Sequence, residues 1–239
     1  MCVENKIIHI LRQRDDGEPE SNATGFLLKC KEGIVLVSAA HVADDEELCI
    51  ATKENDLNSI YALNGTRYKS KMAESRDDDK KDWAIFVNES IMNDLLNSGK
   101  TTFETYTTTG KEPFSVSGFP ISANKNKHYD SVKVVKNKPY QWNNKEASAN
   151  TYKSYGYDSN ENILVSFDEG YGFYENSPSD KAKFRNPKGM SGAPITDSYG
   201  CLIGIFTGIT KDKKYLVGTR VETMLNDIKK GEYEKIDIL

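Results

Sequence analysis

The sequence predicts an all-β protein built from β-barrels, and three observations carry that expectation. Short runs of apolar and β-branched residues recur between turn residues. There are roughly a dozen such runs, more than a small sandwich needs. Only one clear helix stands beside them, near the end of the chain, where a βαβ fold would alternate helices with strands throughout.

The elements follow in order. Gly25-Phe-Leu-Leu-Lys-Cys30 and Ile34-Val-Leu-Val-Ser38 flank Lys31-Glu-Gly33, a hairpin turn. Leu48 to Thr52 reads as a further strand. Trp83-Ala-Ile-Phe-Val87 is apolar throughout, as a strand buried on both faces would be. A short helix follows, capped by Asn88 or Ser90, with Ile91, Leu95 and Leu96 on one face and Gly99 as its stop. Strands resume at Pro113 to Phe119, Ser131 to Val135, Ile163 to Phe167, Leu202 to Thr207 and Tyr215 to Thr219. The stretch 136–162, rich in Asn, Lys, Ser and Tyr, is expected to contain long surface loops. Val221, Met224, Leu225 and Ile228 form the apolar stripe of the last helix, which Gly231 ends. The Thr-rich stretch 101–109 divides two β units, 1–108 and 109–239.

Composition narrows the function. The 239 residues, 37% hydrophobic and 28% charged, suit one large all-β domain or two small ones. A net charge of −4 and the lack of a basic helix face argue against nucleic acid as a partner. No run of about eighteen apolar residues exists, so no membrane helix is expected. The N-terminus, MCVENKIIHILRQRDD, lacks the basic start and long apolar centre of a secretory signal, so a cytoplasmic protein is expected. Cys2, Cys30, Cys49 and Cys201 match no zinc spacing, and neither a metal nor a cofactor is expected.

Three features carry chemistry. The chain has three histidines, His9, His41 and His128. His41 stands out because it follows an apolar strand in Val37-Ser-Ala-Ala-His-Val42, where small residues leave room for the ring. Ser191 lies in Asn186-Pro-Lys-Gly-Met-Ser-Gly-Ala-Pro194. Glycines on both sides permit a tight turn whose N–H groups can converge on one oxygen. Asp82 stands at the mouth of the apolar strand, where a carboxylate needs a partner and an imidazole N–H would serve. Singly, each has a plainer reading: a surface histidine, a Gly-rich turn, the end of the charge run Asp77-Asp-Asp-Lys-Lys-Asp82. Jointly, the order His, Asp, Ser is that of chymotrypsin-type enzymes. An α/β-hydrolase places its histidine after the serine, and none follows Ser191 here.

Six segments resemble the trypsin-like (chymotrypsin-fold) serine peptidase family, in its bacterial, non-digestive branch. They are Thr24-Gly-Phe-Leu-Leu, Ser38-Ala-Ala-His, Asp82-Trp-Ala-Ile-Phe, Ser117-Gly-Phe-Pro120, Gly189-Met-Ser-Gly-Ala-Pro194 and Gly204-Ile-Phe-Thr207. The resemblance implies two packed antiparallel β-barrels with a C-terminal α-helix, and a cleft between the barrels. It implies a serine endopeptidase acting on protein or peptide substrates, with His41 as base, Asp82 orienting it and Ser191 as nucleophile. The N–H groups of Gly189 and Ser191 would form the oxyanion hole. Arg185, Asn186, Phe206 and Thr207 fall at the substrate pocket. A guanidinium at 185 would favour an acidic side chain before the cut, whereas the run Asp44-Asp-Glu-Glu47 would attract basic substrates. Departures are informative. Met190 stands where digestive relatives carry an aspartate that pairs with a newly cut N-terminus, so no activation by N-terminal cleavage is expected. Val42 follows His41 where those relatives place a disulfide cysteine, which fits a reducing compartment. Stand-alone members of this kind often serve a regulatory or defence system with a dedicated partner. The alternative is an inactive, protease-like protein-binding module.

Overall fold

The computed structural model describes residues 3–51, 60–71, 80–105, 110–125, 127–129, 132–134, 137–167, 172–174 and 186–238. A 3-10 turn at Val3–Lys6 leads into strands β1 (Ile7–Gln13), β2 (Pro19–Cys30) and β3 (Gly33–Ser38). The one-turn helix α1 (Ala40–Ala43) is followed by β4 (Leu48–Ala51), β5 (Ile60–Ala62), β6 (Gly65–Ser70) and β7 (Ala84–Val87). Helix α2 (Glu89–Asn97) and β8 (Thr102–Glu104) close the first half. The second half holds β9 (Phe114–Gly118), β10 (Lys127–Tyr129), β11 (Val132–Val134), β12 (Tyr140–Asn144), α3 (Ala149–Tyr155), β13 (Asn162–Ser166) and β14 (Gly172–Tyr174). It continues through β15 (Pro194–Thr196), β16 (Leu202–Ile209), β17 (Tyr215–Arg220), α4 (Val221–Lys230) and β18 (Tyr233–Ile238).

Two curled, largely antiparallel sheets result. The first runs β18-β6-β7-β3-β2-β1-β4-β5, with β8 added in parallel to β2. The second runs β13-β17-β16-β15-β9-β12-β14. Each encloses its own apolar core: Ile10, Leu27, Leu36, Phe86 and Leu95 in the first, Phe114, Trp142, Ile163, Ile195 and Phe206 in the second. A third cluster joins them. There Val221 and Met224 of α4 pack on Phe26, Val37, Trp83 and Ile205.

Local rules account for most boundaries. Asn88, rather than Ser90, caps α2, its Oδ1 accepting from the Ile91 N–H at 3.2 Å. Gly231, at φ 73°, ends α4 in the left-handed region. The stretch 136–162 holds regular elements beside its surface loops. It contains β12, paired along its length with β9, and α3, started by Ser148 accepting from Thr151 and stopped by Gly156 at φ 71°. Polar composition hid both: β12 shows only the two alternate buried aromatics Tyr140 and Trp142, and α3 is set chiefly by its caps. One expectation needs correction: the sequence shows the helix at 221–230 as the last clear element, but β18 follows it and pairs with β6, returning the chain to the first sheet. The expected strand at 131–135 is described only as β11.

Candidate active site

His41 sits on α1, directly after β3. Ala39, with extended backbone, turns the chain into that single helical turn. The turn is held from below by Arg67 of β6, a side chain 1% exposed whose guanidinium donates to the carbonyls of Ala43, Asp45 and Leu63. Asp82 faces it from the segment just before β7. One carboxylate oxygen accepts from the His41 backbone N–H at 3.1 Å, and the other lies 2.7 Å from ring Nδ1. Both oxygens are thereby directed at one residue. The geometry assigns the ring proton to Nδ1 and leaves Nε2 as an acceptor on the opposite edge. The imidazole and carboxylate side chains are 16% and 11% exposed, so little water screens the pair.

The segment around Ser191 is fixed by its backbone. Pro187 O accepts from Met190 N, Lys188 O from Ile121 N, Met190 O from Ala193 N and Ser191 O from Thr24 N, all at 2.8–2.9 Å. Gly189 O accepts from the Thr24 hydroxyl at 2.9 Å. Lys188 N donates to Asn186 Oδ1 and Gly192 N to Phe206 O. After this accounting, two N–H groups of residues 188–193 have no acceptor among the described residues: Gly189 and Ser191. Because Lys188 O is held toward Ile121, the trans peptide directs the Gly189 N–H the opposite way. The glycines are obligatory here. Gly189 has φ +92°, and a Cβ on Gly192 would lie 2.0 Å from Ser38 Oγ and 2.2 Å from Thr24 O.

Ser191 and Asp82 border one cleft of about 390 Å³, with Tyr157, Lys188, Phe206, Thr207 and Val217 among its walls. Neither a protein-family model nor any curated protein sequence matches the chain. Solved structures do. The Vibrio cholerae VesB protease superposes with a TM-score of 0.56 at 14% identity, over 95% of this chain and 64% of that one. A Glu endopeptidase in complex with MPD gives 0.53 at 12% identity, over 96% and 91%. Human heparin binding protein gives 0.55 at 12% identity, over 95% and 90%. The fold is chymotrypsin-like.

Within this chymotrypsin-like fold the sequence-picked residues have distinct placements. His41 and Asp82 are joined directly. Ser191 borders the same cleft as Asp82, but among the described residues no hydrogen bond links its hydroxyl to His41. Gly189 and Ser191 carry the two N–H groups of this turn that have no acceptor among the described residues. Asn186, Phe206 and Thr207 line the cleft, though each is also engaged elsewhere. The Asn186 amide oxygen closes the Ser191 turn, Phe206 belongs to the second core, and the Thr207 hydroxyl donates to Val217 O at 3.2 Å. Arg185 lies outside the described residues. Met190 is 1% exposed and packs in the second core, where a charged group would be unpaired. Three of the four acids after His41 have cationic partners: Asp44 with Lys69, Asp45 and Glu47 with Arg12. Among the described residues no three His, Cys, Asp or Glu side chains cluster as a metal site would need.

Sequence reading missed Thr24, which donates through its N–H and hydroxyl to the Ser191 turn and accepts from Phe119 N at 2.9 Å. Its place in the Thr24-Gly-Phe segment was the available signal. It also missed Thr219, whose hydroxyl accepts from the Asp82 N–H at 3.0 Å. No local pattern marks that residue.

Proposed function

We propose that the chain is a serine endopeptidase in which Ser191, His41 and Asp82 act as a triad. The observation that carries the reading is the pair of N–H groups at Gly189 and Ser191 that have no acceptor among the described residues, in a turn whose other N–H groups from Lys188 to Ala193 are all engaged, with Ser191 on the same cleft as Asp82, the partner of His41. Ser191 Oγ attacks a peptide carbonyl while His41 Nε2 takes its proton. The carbonyl oxygen, now negative, is received by the two N–H groups, each worth ~10²–10³ in rate. His41 then protonates the leaving amine, and water repeats the sequence on the acyl-enzyme. Asp82 keeps the ring in the working tautomer and balances the imidazolium.

Two finer features belong to this reading. No N-terminal cleavage activates the enzyme, a feature supported by the burial of Met190 among apolar side chains. It works in a reducing cytoplasm as a bacterial regulatory or defence protease with a dedicated protein partner, and the unpaired thiols of Cys30, Cys49 and Cys201 suit that compartment. A second reading, a non-catalytic binding module, is favoured by one observation, the missing Ser191–His41 hydrogen bond. Such bonds often close only when substrate is bound. A fluorophosphonate probe separates the two: wild-type protein should be labelled and Ser191→Ala should not. Equal labelling of both, or of neither, would sink the protease reading.

A further inference from the structure

Asp227 is a buried carboxylate with no part in the chemistry above. It lies on the inner stripe of α4, one turn beyond Met224, and is 2% exposed. Burying a carboxylate is unfavourable unless donors meet it. Its two donors are Lys81 Nζ at 2.9 Å and Trp83 Nε1 at 3.1 Å. These residues stand on either side of Asp82 in the chain.

The rest of that segment is held just as fully. The Asp82 N–H goes to Thr219 of β17, and Lys80 O accepts from the Asn162 amide of β13. Glu161 adds a second carboxylate to Lys81 at 3.5 Å. From the first sheet, Ser70 of β6 engages Lys81 O, Trp83 N and Trp83 O. Residues 80–83 are thus suspended between β6 on one side and β13, β17 and α4 on the other. Asp82 must aim both oxygens at His41, and a displacement of about 1 Å at such a site can cost ~100-fold in rate. The contacts of Asp227 are side chain to side chain, and they fix the two neighbours whose movement would carry Asp82 with them.

We infer that Asp227 is a positioning residue for the His41–Asp82 pair, so that the C-terminal helix is part of the frame of the active site. The inference rests on the triad reading of the preceding section. It is tested in the full chain with Asp227→Asn, which keeps shape and loses charge, and with Trp83→Phe, which removes one donor. Two readouts are used: the rate of fluorophosphonate labelling across pH, and the strongly deshielded NMR signal of the proton between His41 Nδ1 and Asp82. Asp227→Asn should slow labelling ~10–100-fold, lower the apparent pKa of the labelling profile and weaken the deshielded signal. Trp83→Phe should do the same by ~3–10-fold. Near-UV circular dichroism must match wild type, and should Asp227→Asn not fold, Trp83→Phe carries the test. Labelling rate, profile and signal all unchanged in a folded variant would overturn the inference. If wild type itself is not labelled at Ser191, the protease reading fails. The response of the deshielded proton still decides the role of Asp227.

Discussion

The two halves of the proposed site are built by opposite means. The His41–Asp82 half is held by side chains: a carboxylate gripping a histidine twice, a buried arginine under α1, and a second carboxylate behind Lys81 and Trp83. The Ser191 half is held by peptide groups and by glycines that let them approach. The difference follows from what each half must present. A base needs one ring in one orientation, which charge-assisted bonds provide. An anion receptor needs bare N–H groups, and these stay bare only if every neighbouring peptide group is already engaged.

If the first half works through charge, its largest sensitivity is to Asp82→Asn. The amide keeps the shape but can present an N–H to His41, which then holds its own proton on the wrong nitrogen. Turnover of a peptide substrate should fall by ~10⁴-fold with little change in KM. A loss below ~10-fold would mean that Asp82 does not set the tautomer.

The second half should respond to a change that carries no charge at all. Thr24→Val removes the hydroxyl that donates to Gly189 O and accepts from Phe119 N, while keeping the branched shape and the N–H to Ser191 O. The Gly189–Met190 peptide, which joins the two donors, then keeps only its bond from Met190 N to Pro187 O, and the turn between the donors loosens. The expected loss is ~10–100-fold in kcat, short of deleting an oxyanion donor outright, and Thr24→Ser should restore most of it. Affinity for a boronic acid, which mimics the tetrahedral oxyanion, should fall in parallel with kcat. A drop in KM effects alone, with boronate affinity intact, would place Thr24 outside the oxyanion frame.

The same contrast explains what could be read from the sequence. His41, Asp82 and Ser191 were legible because each stands in a short pattern of strand, small residue or glycine that its own neighbours dictate. The barrels were legible from short strands, and α4 from Val221, Met224, Leu225 and Ile228. Thr219 and Asp227 were not, because their partners lie 137 and 144 residues away. Asp227 was doubly hidden: a charged residue at that position of an amphipathic helix reads as solvated, and only the indole N–H of Trp83 and the ammonium of Lys81 make its burial tolerable. Strand β12 and helix α3 were obscured by polar composition, since their specification lies in the pairing with β9 and in the caps Ser148 and Gly156.

The smallest effect should appear in stability, at the seam between the halves. His9 of β1 stacks on Phe119, ring centroids 4.6 Å apart, and its Nε2 meets Ser21 Oγ at 2.8 Å. Phe119 in turn donates to Thr24. Burial, reinforced by the Lys100 ammonium, pushes the His9 pKa from 6.5 down to about 3. The unfolded chain therefore takes up a proton near pH 6.5, which the folded chain refuses until about 3. Stability from this group is complete above pH 6.5 and is lost as pH falls toward 3, by up to about 1.4 kcal/mol per pH unit. Urea unfolding of wild type and His9→Gln should give parallel stabilities above pH 7 that converge or cross below pH 6. The carboxylates titrate alike in both proteins, so the difference isolates His9. Parallel curves down to pH 4 would mean that the imidazole is hydrated at the seam, and that the contact of β1 with Phe119 opens without unfolding.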